Sequence, residues 1–267
     1  MTFDVLLSAM HLEDETYIDS LNIKSNAVVI NQCDRDTQTV IARSAVDASE
    51  QTVVYVESPL RGLSVSRNMA ISKSEADICI LCDNDVEYED DYIDTVIGSF
   101  EKYKDADVIV FFIKRPERQV PVFTIPKRMH FLSVLKIFSP EIAFRRQSVS
   151  DIKFNESFGA GAHYKMGEEN IFLYDCLKAG KKIMYVPTQI AHLRPVESTW
   201  FAGYNRDFFV SRGANYEAMS KTLSLFLIWQ FALRKRSLYL EKISMKEALS
   251  AMFEGRKEWK KQSKKKA

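Results

Sequence analysis

The stretch LCDNDVEYEDDY, residues 81–92, ends a short apolar run, DICILC at 77–82, with Asp83-Asn84-Asp85. A run of that length, apolar on both faces, suits a strand of a largely parallel sheet covered by helices. In such sheets ligands bind at the carboxyl ends of the strands. Asp83 and Asp85 are two residues apart, so both face one side if strand geometry continues through them. Two hard oxygen ligands suit Mg²⁺ or Mn²⁺, with phosphate oxygens filling other positions. The plain alternative is an acidic loop that caps the next helix, a task for which Asp90 and Asp91 are well placed.

Outward from this point the pattern repeats. Residues 4–11, 27–33 (AVVINQC), 52–57 (TVVYVE) and 106–113 (ADVIVFFI) are further buried-strand runs. Helical patterns lie between them, at 64–75 after Gly62 and at 90–103, where acids open the helix as its dipole favours. These alternations predict an α/β layered domain. From 115 to 150 the periodicity weakens around Pro116, Pro121, Pro126 and Pro140, and basic residues are frequent, as expected of a substrate-shaping insertion. A clean helix follows at 168–179, stopped by Gly180, and then a short strand at 182–186 ended by Pro187. Beyond residue 198 the chain reads as helical, with an amphipathic helix at 238–261. The expected organisation is a catalytic domain over 1–215 and a basic helical extension over 216–267.

Composition bounds the function. With 267 residues, 46% of them hydrophobic, the chain can bury a sizeable core without covalent staples. Cys33, Cys79, Cys82 and Cys176 form no disulfide pattern and read as reduced thiols of a cytosolic protein. Cys79 and Cys82 are three apart on a strand, so they point to opposite faces. The N-terminus lacks the charged start of a signal peptide, and the longest apolar stretch, 223–233, is too short to span a bilayer. The net charge of +1 conceals an asymmetry: residues 234–267 carry 12 Lys/Arg against 4 Asp/Glu. A basic segment on a mildly acidic body suggests an anionic partner. It contains no nucleic-acid reading motif, so no nucleic acid is expected.

Three further segments carry chemistry. GLSVSRNMA, residues 62–70, places Ser64, Ser66, Arg67 and Asn68 in the first turns of a helix, where backbone N–H groups and an arginine favour phosphate. An ordinary capped helix with a surface arginine is the alternative. FGAGAHYKMGEENIFLYDCLKAGKKIMYVP, residues 158–187, leads through glycines to Glu168 and Glu169 at a helix start. Acids there favour the dipole, and a carboxylate beside a reacting hydroxyl can also take its proton. His192, in QIAHLRP just past a strand, is a candidate third metal ligand if its loop returns to Asp85.

In order along the chain, these segments resemble the family 2 glycosyltransferases of the GT-A fold, over roughly residues 3–215. The ordered elements are an N-terminal strand, Gly-Leu-Ser-x-Ser-Arg-Asn-x-Ala, a strand ending in Asp-Asn-Asp for the family's D-x-D, Gly-Glu-Glu-Asn-x-Phe for its Glu-Asp motif, and a later histidine. Bacterial members that build capsular and other surface polysaccharides look most similar. The resemblance implies an inverting, metal-dependent transfer from a nucleotide-sugar, a UDP-sugar by expectation, to a glycan or lipid-linked acceptor. It implies Asp85, with Asp83 and His192, as ligands of Mn²⁺ or Mg²⁺. It assigns donor contacts to Met10, Gln32, Asp34, Arg67, Asp83 and Asn84, and the base to Glu169, with Glu168 its competitor. The chain departs from the pattern in having Glu at the base position and Asn31-Gln32-Cys33-Asp34 where paired aspartates are common.

Two other functions share the same residues. A sugar nucleotidyltransferase also uses an α/β sheet and carboxylate-bound metal, but its glycine-rich, basic N-terminal phosphate loop is not found. A non-catalytic nucleotide-sugar-binding protein would not need Asp83, Asp85 and Glu169 together. The apolar bulk of Leu225, Phe226, Ile228, Trp229 and Phe231 beside Arg234-Lys235-Arg236 predicts either contact of 234–267 with an anionic membrane or a packed appendage with a solvated basic face. The expected location is cytoplasmic, peripheral at the inner face of the plasma membrane, and the C-terminal helices offer a route to a homodimer.

Overall fold

A computed structural model describes residues 1–44, 50–194, 201 and 203–266. In chain order the elements are β1 (Phe3–Met10), α1 (Tyr17–Ser20), β2 (Asn26–Gln32), β3 (Thr37–Ser44), β4 (Glu50–Ser58), α2 (Leu63–Lys73), β5 (Ile78–Asp83), β6 (Val86–Tyr88), α3 (Tyr92–Lys102) and β7 (Val108–Lys114). They continue with β8 (Lys127–Arg128), β9 (Ile142–Arg145), α4 (Glu168–Lys178), β10 (Ile183–Leu193), α5 (Arg206–Met219), α6 (Ser224–Arg234) and α7 (Met245–Lys266). One ten-stranded sheet runs β3-β4-β2-β1-β5-β9-β7-β10-β6, with β8 beside β10. β1 pairs in parallel with β2 and β5, β2 with β4, and β7 with β10. The antiparallel β9 lies between β5 and β7, which keeps those two pointing the same way.

The two faces of the sheet carry separate cores, as strand alternation requires. Val5, Leu7, Val29 and Ile80 pack under α3 with Val96 and Phe100. Leu6, Val28, Ile30 and Leu81 face the other way and join a larger core with α4, α5, α6 and α7. Cys79 belongs to that larger core and Cys82 to the smaller, on opposite faces as their spacing predicts, and all four cysteines are buried and free.

Some elements differ from the sequence-based expectation. β3 is polar and mostly exposed, and pairs antiparallel with β4 at the edge of the sheet. β10 does not stop at Pro187: its register shifts between Tyr185 and Gln189, and the strand resumes to Leu193. A missing donor at a bulge is where a sheet accepts proline, so His192 lies within a strand rather than past it. α5 crosses the expected boundary at residue 215, and it packs on α7 at backbone distance. A Cβ on Gly213 would stand 1.9 Å from the Met252 carbonyl oxygen, and one on Gly255 1.9 Å from that of Val210. The helix expected at 238–261 begins at Met245, after a single 3-10 turn at Arg236–Leu238. Among the described residues no helix is long and apolar enough to cross a membrane.

Candidate active site

The carboxyl ends of β1, β2 and β5 lie side by side, because Met10 pairs with Gln32 and Ser8 with Asp83. The same edge receives His192 from β10, opposite Lys114 of β7 and Glu87 of β6. β5 ends at Asp83, and Asn84-Asp85 turn the chain into β6. The two aspartates are therefore separated by a turn, not carried on a continuing strand.

Arg67, from the second turn of α2, lies under this edge with 1% of its surface exposed. Its Nη1 donates to Glu168 Oε1 at 2.7 Å, and its Nη2 to Asp83 Oδ1 at 2.9 Å and Ser139 Oγ at 2.8 Å. The guanidinium also sits 5.5 Å from the centre of the Phe154 ring. Burial works against its charge, but Asp83 and Glu168 outweigh burial and raise its pKa. Arg67 thus ties the Asp-Asn-Asp turn to the Glu-Glu helix start, 101 residues away. Its Nη groups are engaged inside the protein rather than presented at the surface.

The N-terminus of α2 is likewise covered. Leu63 N–H donates to the Ala160 carbonyl and Gly62 N–H to Gln32 Oε1. A Cβ on Gly161 would stand 3.3 Å from Gly62 Cα, so the glycines of 158–162 permit close approach of two backbones. The helix end that the sequence offers to phosphate is closed by protein.

Asp85, at the end of the Asp-Asn-Asp turn, is half-buried. Its Oδ1 has no hydrogen-bond partner among the described residues, although its carbonyl accepts from Arg194 N–H at 2.8 Å. Burial first and Asp83 second push its pKa up to about 6. A carboxylate that is desolvated, faces another acid and has one oxygen without a donor fits a cation. His192 is drawn elsewhere, with Nε2 3.8 Å from Glu87 Oε2 and Nδ1 3.6 Å from Glu89 Oε1. Among the described residues no three acid, histidine or thiol side chains converge on one point. A cation at Asp85 would complete its shell from phosphate oxygens and water, as Mg²⁺-type sites do.

Glu168 and Glu169 open α4 behind Gly167, whose φ of +85° favours glycine. A side chain at 167 is also excluded by Asn215 of α5, which would lie 2.3 Å from a Cβ and whose Nδ2 donates to the Gly167 carbonyl at 2.8 Å. Glu168 is held by Arg67 and packs against Gly159 (φ +105°). Glu169 is half-buried and forms no ion pair among the described residues. Its pKa is raised to about 8, first by burial and then by Glu168, with Arg67 and Arg212 opposing. Arg212 itself lies over the rings of Phe208, Phe231 and Tyr216 at 5.3, 5.4 and 5.9 Å.

The remaining expected contacts are scattered along the edge. Met10 is exposed at the end of β1, and Asn84 is exposed with its carbonyl bonded to Tyr17 Oη. Gln32 is buried against Gly62, and Asp34 is exposed and paired with Arg61 at 2.5 Å. Ser139, Arg212 and Asn215 were not anticipated. Ser139 sits in the Ser-Pro-Glu turn of the insertion, where Pro140 was the only cue, and nothing local marks Asn215.

The model of the family described as "Glycosyl transferase family 2" matches residues 20–166, which include Arg67 and the Asp-Asn-Asp turn and stop just short of Glu168. Among solved structures, residues 1–349 of S. aureus TarS align at 14% identity and a TM-score of 0.63, covering 96% of this chain and 81% of that one. The same TarS fragment in complex with UDP-GlcNAc gives a TM-score of 0.59 at 14% identity, with the same coverage. The mannosyltransferase PcManGT from Pyrobaculum calidifontis, in complex with GDP-Man and Mn²⁺, aligns at 11% identity and a TM-score of 0.54, covering 92% of this chain and 73% of that one. No curated protein matches the sequence. The sheet, the Asp-Asn-Asp turn at its carboxyl edge and the family match over more than half the chain make this protein a member of glycosyltransferase family 2.

Proposed function

We propose that the protein is an inverting glycosyltransferase that moves a sugar from a nucleotide-sugar, a UDP-sugar, to a hydroxyl of a glycan or lipid-linked acceptor in bacterial polysaccharide synthesis. The observation that carries the reading is the buried Arg67 cluster, which holds the Asp83 turn and the start of α4 in one fixed relation. Groups held in a set geometry lower the barrier by removing the cost of orienting them at the moment of reaction.

Glu169 is the proposed base. Glu168 is spent on Arg67, whereas Glu169 keeps a carboxylate with a pKa raised toward the working pH, where general-base efficiency is greatest. In the transfer Glu169 takes the proton of the acceptor hydroxyl. The hydroxyl oxygen bonds to the anomeric carbon from the face opposite the nucleotide. The bond from that carbon to the β-phosphate oxygen breaks, and its electron pair leaves with the diphosphate. Asp85, with Asp83 beside it, would hold Mn²⁺ or Mg²⁺, and that cation supplies neutralisation of the charge gathering on the diphosphate. Met10, Asn84 and Asp34 line the edge at which the nucleotide would lie. Arg67 acts from below, by keeping Asp83 and Glu168 in place.

A donor-hydrolysis screen with Mn²⁺ over UDP-, GDP- and dTDP-sugars tests the reading without knowledge of the acceptor. Release of nucleoside diphosphate from one donor class, lost in Asp85→Ala, is expected. Turnover of a nucleoside triphosphate with pyrophosphate release, and none of any nucleotide-sugar, would replace it with nucleotidyl transfer.

A further inference from the structure

α6 has two unlike faces. Leu227, Ile228 and Ala232 are fully buried in the larger core. Leu225, Phe226, Trp229 and Leu233 recur at helical spacing on the other side, and Leu238 and Leu240 extend them past the helix end. All six are 47–54% exposed. Tyr239, between the last two, turns inward, and its hydroxyl donates to the Ala232 carbonyl at 2.6 Å, which pins the turn to the helix. The patch is therefore presented on a packed support.

The segment that carries it is cationic. Residues 221–246 contain Lys221, Arg234, Lys235, Arg236, Lys242 and Lys246, with Glu241 as the one acid. All six cations are exposed, and none forms an ion pair among the described residues. An apolar patch of this kind marks an interaction surface. Charge selects the occupant. A two-fold dimer through the patch would bring these cations toward those of the second copy, whereas an anionic lipid surface complements them. Leucine, phenylalanine and tryptophan on one face, with lysine and arginine around them, is the composition of a helix lying in a lipid headgroup layer, and an 11-residue helix is too short to do more.

We infer that α6 and the turn that follows it seat the protein on an anionic lipid bilayer, with Phe226 and Trp229 inserted at the headgroup–acyl boundary. This narrows the contact expected of 234–267 to its first residues, and sets it on the apolar face of α6 that precedes them. Within that segment Ala248, Ala251 and Met252 of α7 face the core, and the exposed apolar residues lie at 225–240. The inference is independent of donor and acceptor.

The test is flotation of the full chain with vesicles of phosphatidylcholine alone or mixed with phosphatidylglycerol. The protein should rise with the mixed vesicles only. Phe226→Ser/Trp229→Ser should stay at the bottom, and Arg234→Gln/Lys235→Gln/Arg236→Gln should bind about 100-fold more weakly, at about fivefold for each cation. Trp229 emission should shift to the blue on binding and be quenched by brominated acyl chains. Wild-type protein that does not rise with mixed vesicles overturns the inference. So does flotation that survives both variants but is lost in Lys257→Gln/Lys260→Gln/Lys261→Gln/Lys264→Gln, or a dimer in solution that Phe226→Ser/Trp229→Ser dissolves. Donor hydrolysis in buffer, measured on the same preparations, keeps this outcome separate from that of the proposed activity.

Discussion

Replacing Arg67 with methionine keeps much of the buried stem and removes the charge that Asp83 and Glu168 share. Glu168 is then a buried carboxylate without a counter-ion, a change that typically costs about 3–5 kcal/mol. Urea unfolding of wild type and Arg67→Met at about pH 7.5 should show a stability gap of about 3–5 kcal/mol. Arg67→Met/Glu168→Gln should recover most of it, because Glu168, with 6% of its side chain exposed, then carries no charge, whereas Asp83, with 21% exposed, keeps contact with water. A gap below about 1 kcal/mol, or one that the second substitution leaves in place, refutes a bracing role for Arg67.

Three other outcomes follow from the site and its supports. Glu169→Gln should lower kcat by about 10²–10⁴ with donor KM little changed, and wild-type kcat/KM should rise about tenfold per pH unit up to about 8, because the proposed base acts only when deprotonated; steady-state kinetics on both sides of that pH check both. Asp85→Asn should abolish Mn²⁺-dependent strengthening of donor binding in calorimetry, and an unchanged Mn²⁺ effect would remove Asp85 from the cation site. Gly213→Ala should destabilise by about 1–3 kcal/mol despite a better helix propensity, because its Cβ would meet the Met252 carbonyl at 1.9 Å; Gly98→Ala, in open space on α3, should stabilise by about 0.5–1 kcal/mol, and thermal melts compare the two.

The buried parallel strands were legible because each is apolar on both faces, as β1, β2, β5 and β7 show. β3 was not, since an edge strand with polar residues on both faces has no apolar period to read. β9 is fully hidden between β5 and β7, but four residues amid prolines and basic side chains leave too short a signal. In the site, the Asp-Asn-Asp turn and Glu168-Glu169 were readable as acids at element ends. The contact between them was not, because Arg67 reaches Glu168 across 101 residues and no local pattern encodes a long-range ion pair. The burial of Arg67 is hidden for the same reason: near a helix start an arginine reads as facing phosphate or solvent until its partners are known.

The backbone contact between α5 and α7 bears on how the site comes into being during synthesis. The chain emerges from its N-terminus, and every acid of the two motifs is out once α4 has left the ribosome. Asn215, which fixes Gly167 at the head of α4, stands on a helix whose other flank is lined by Gly213 and completed only by Met252 and Gly255. A nascent chain halted before Met245 would hold the acids of the candidate site without the brace that orders them, so maturation of the site is tied to the appearance of α7.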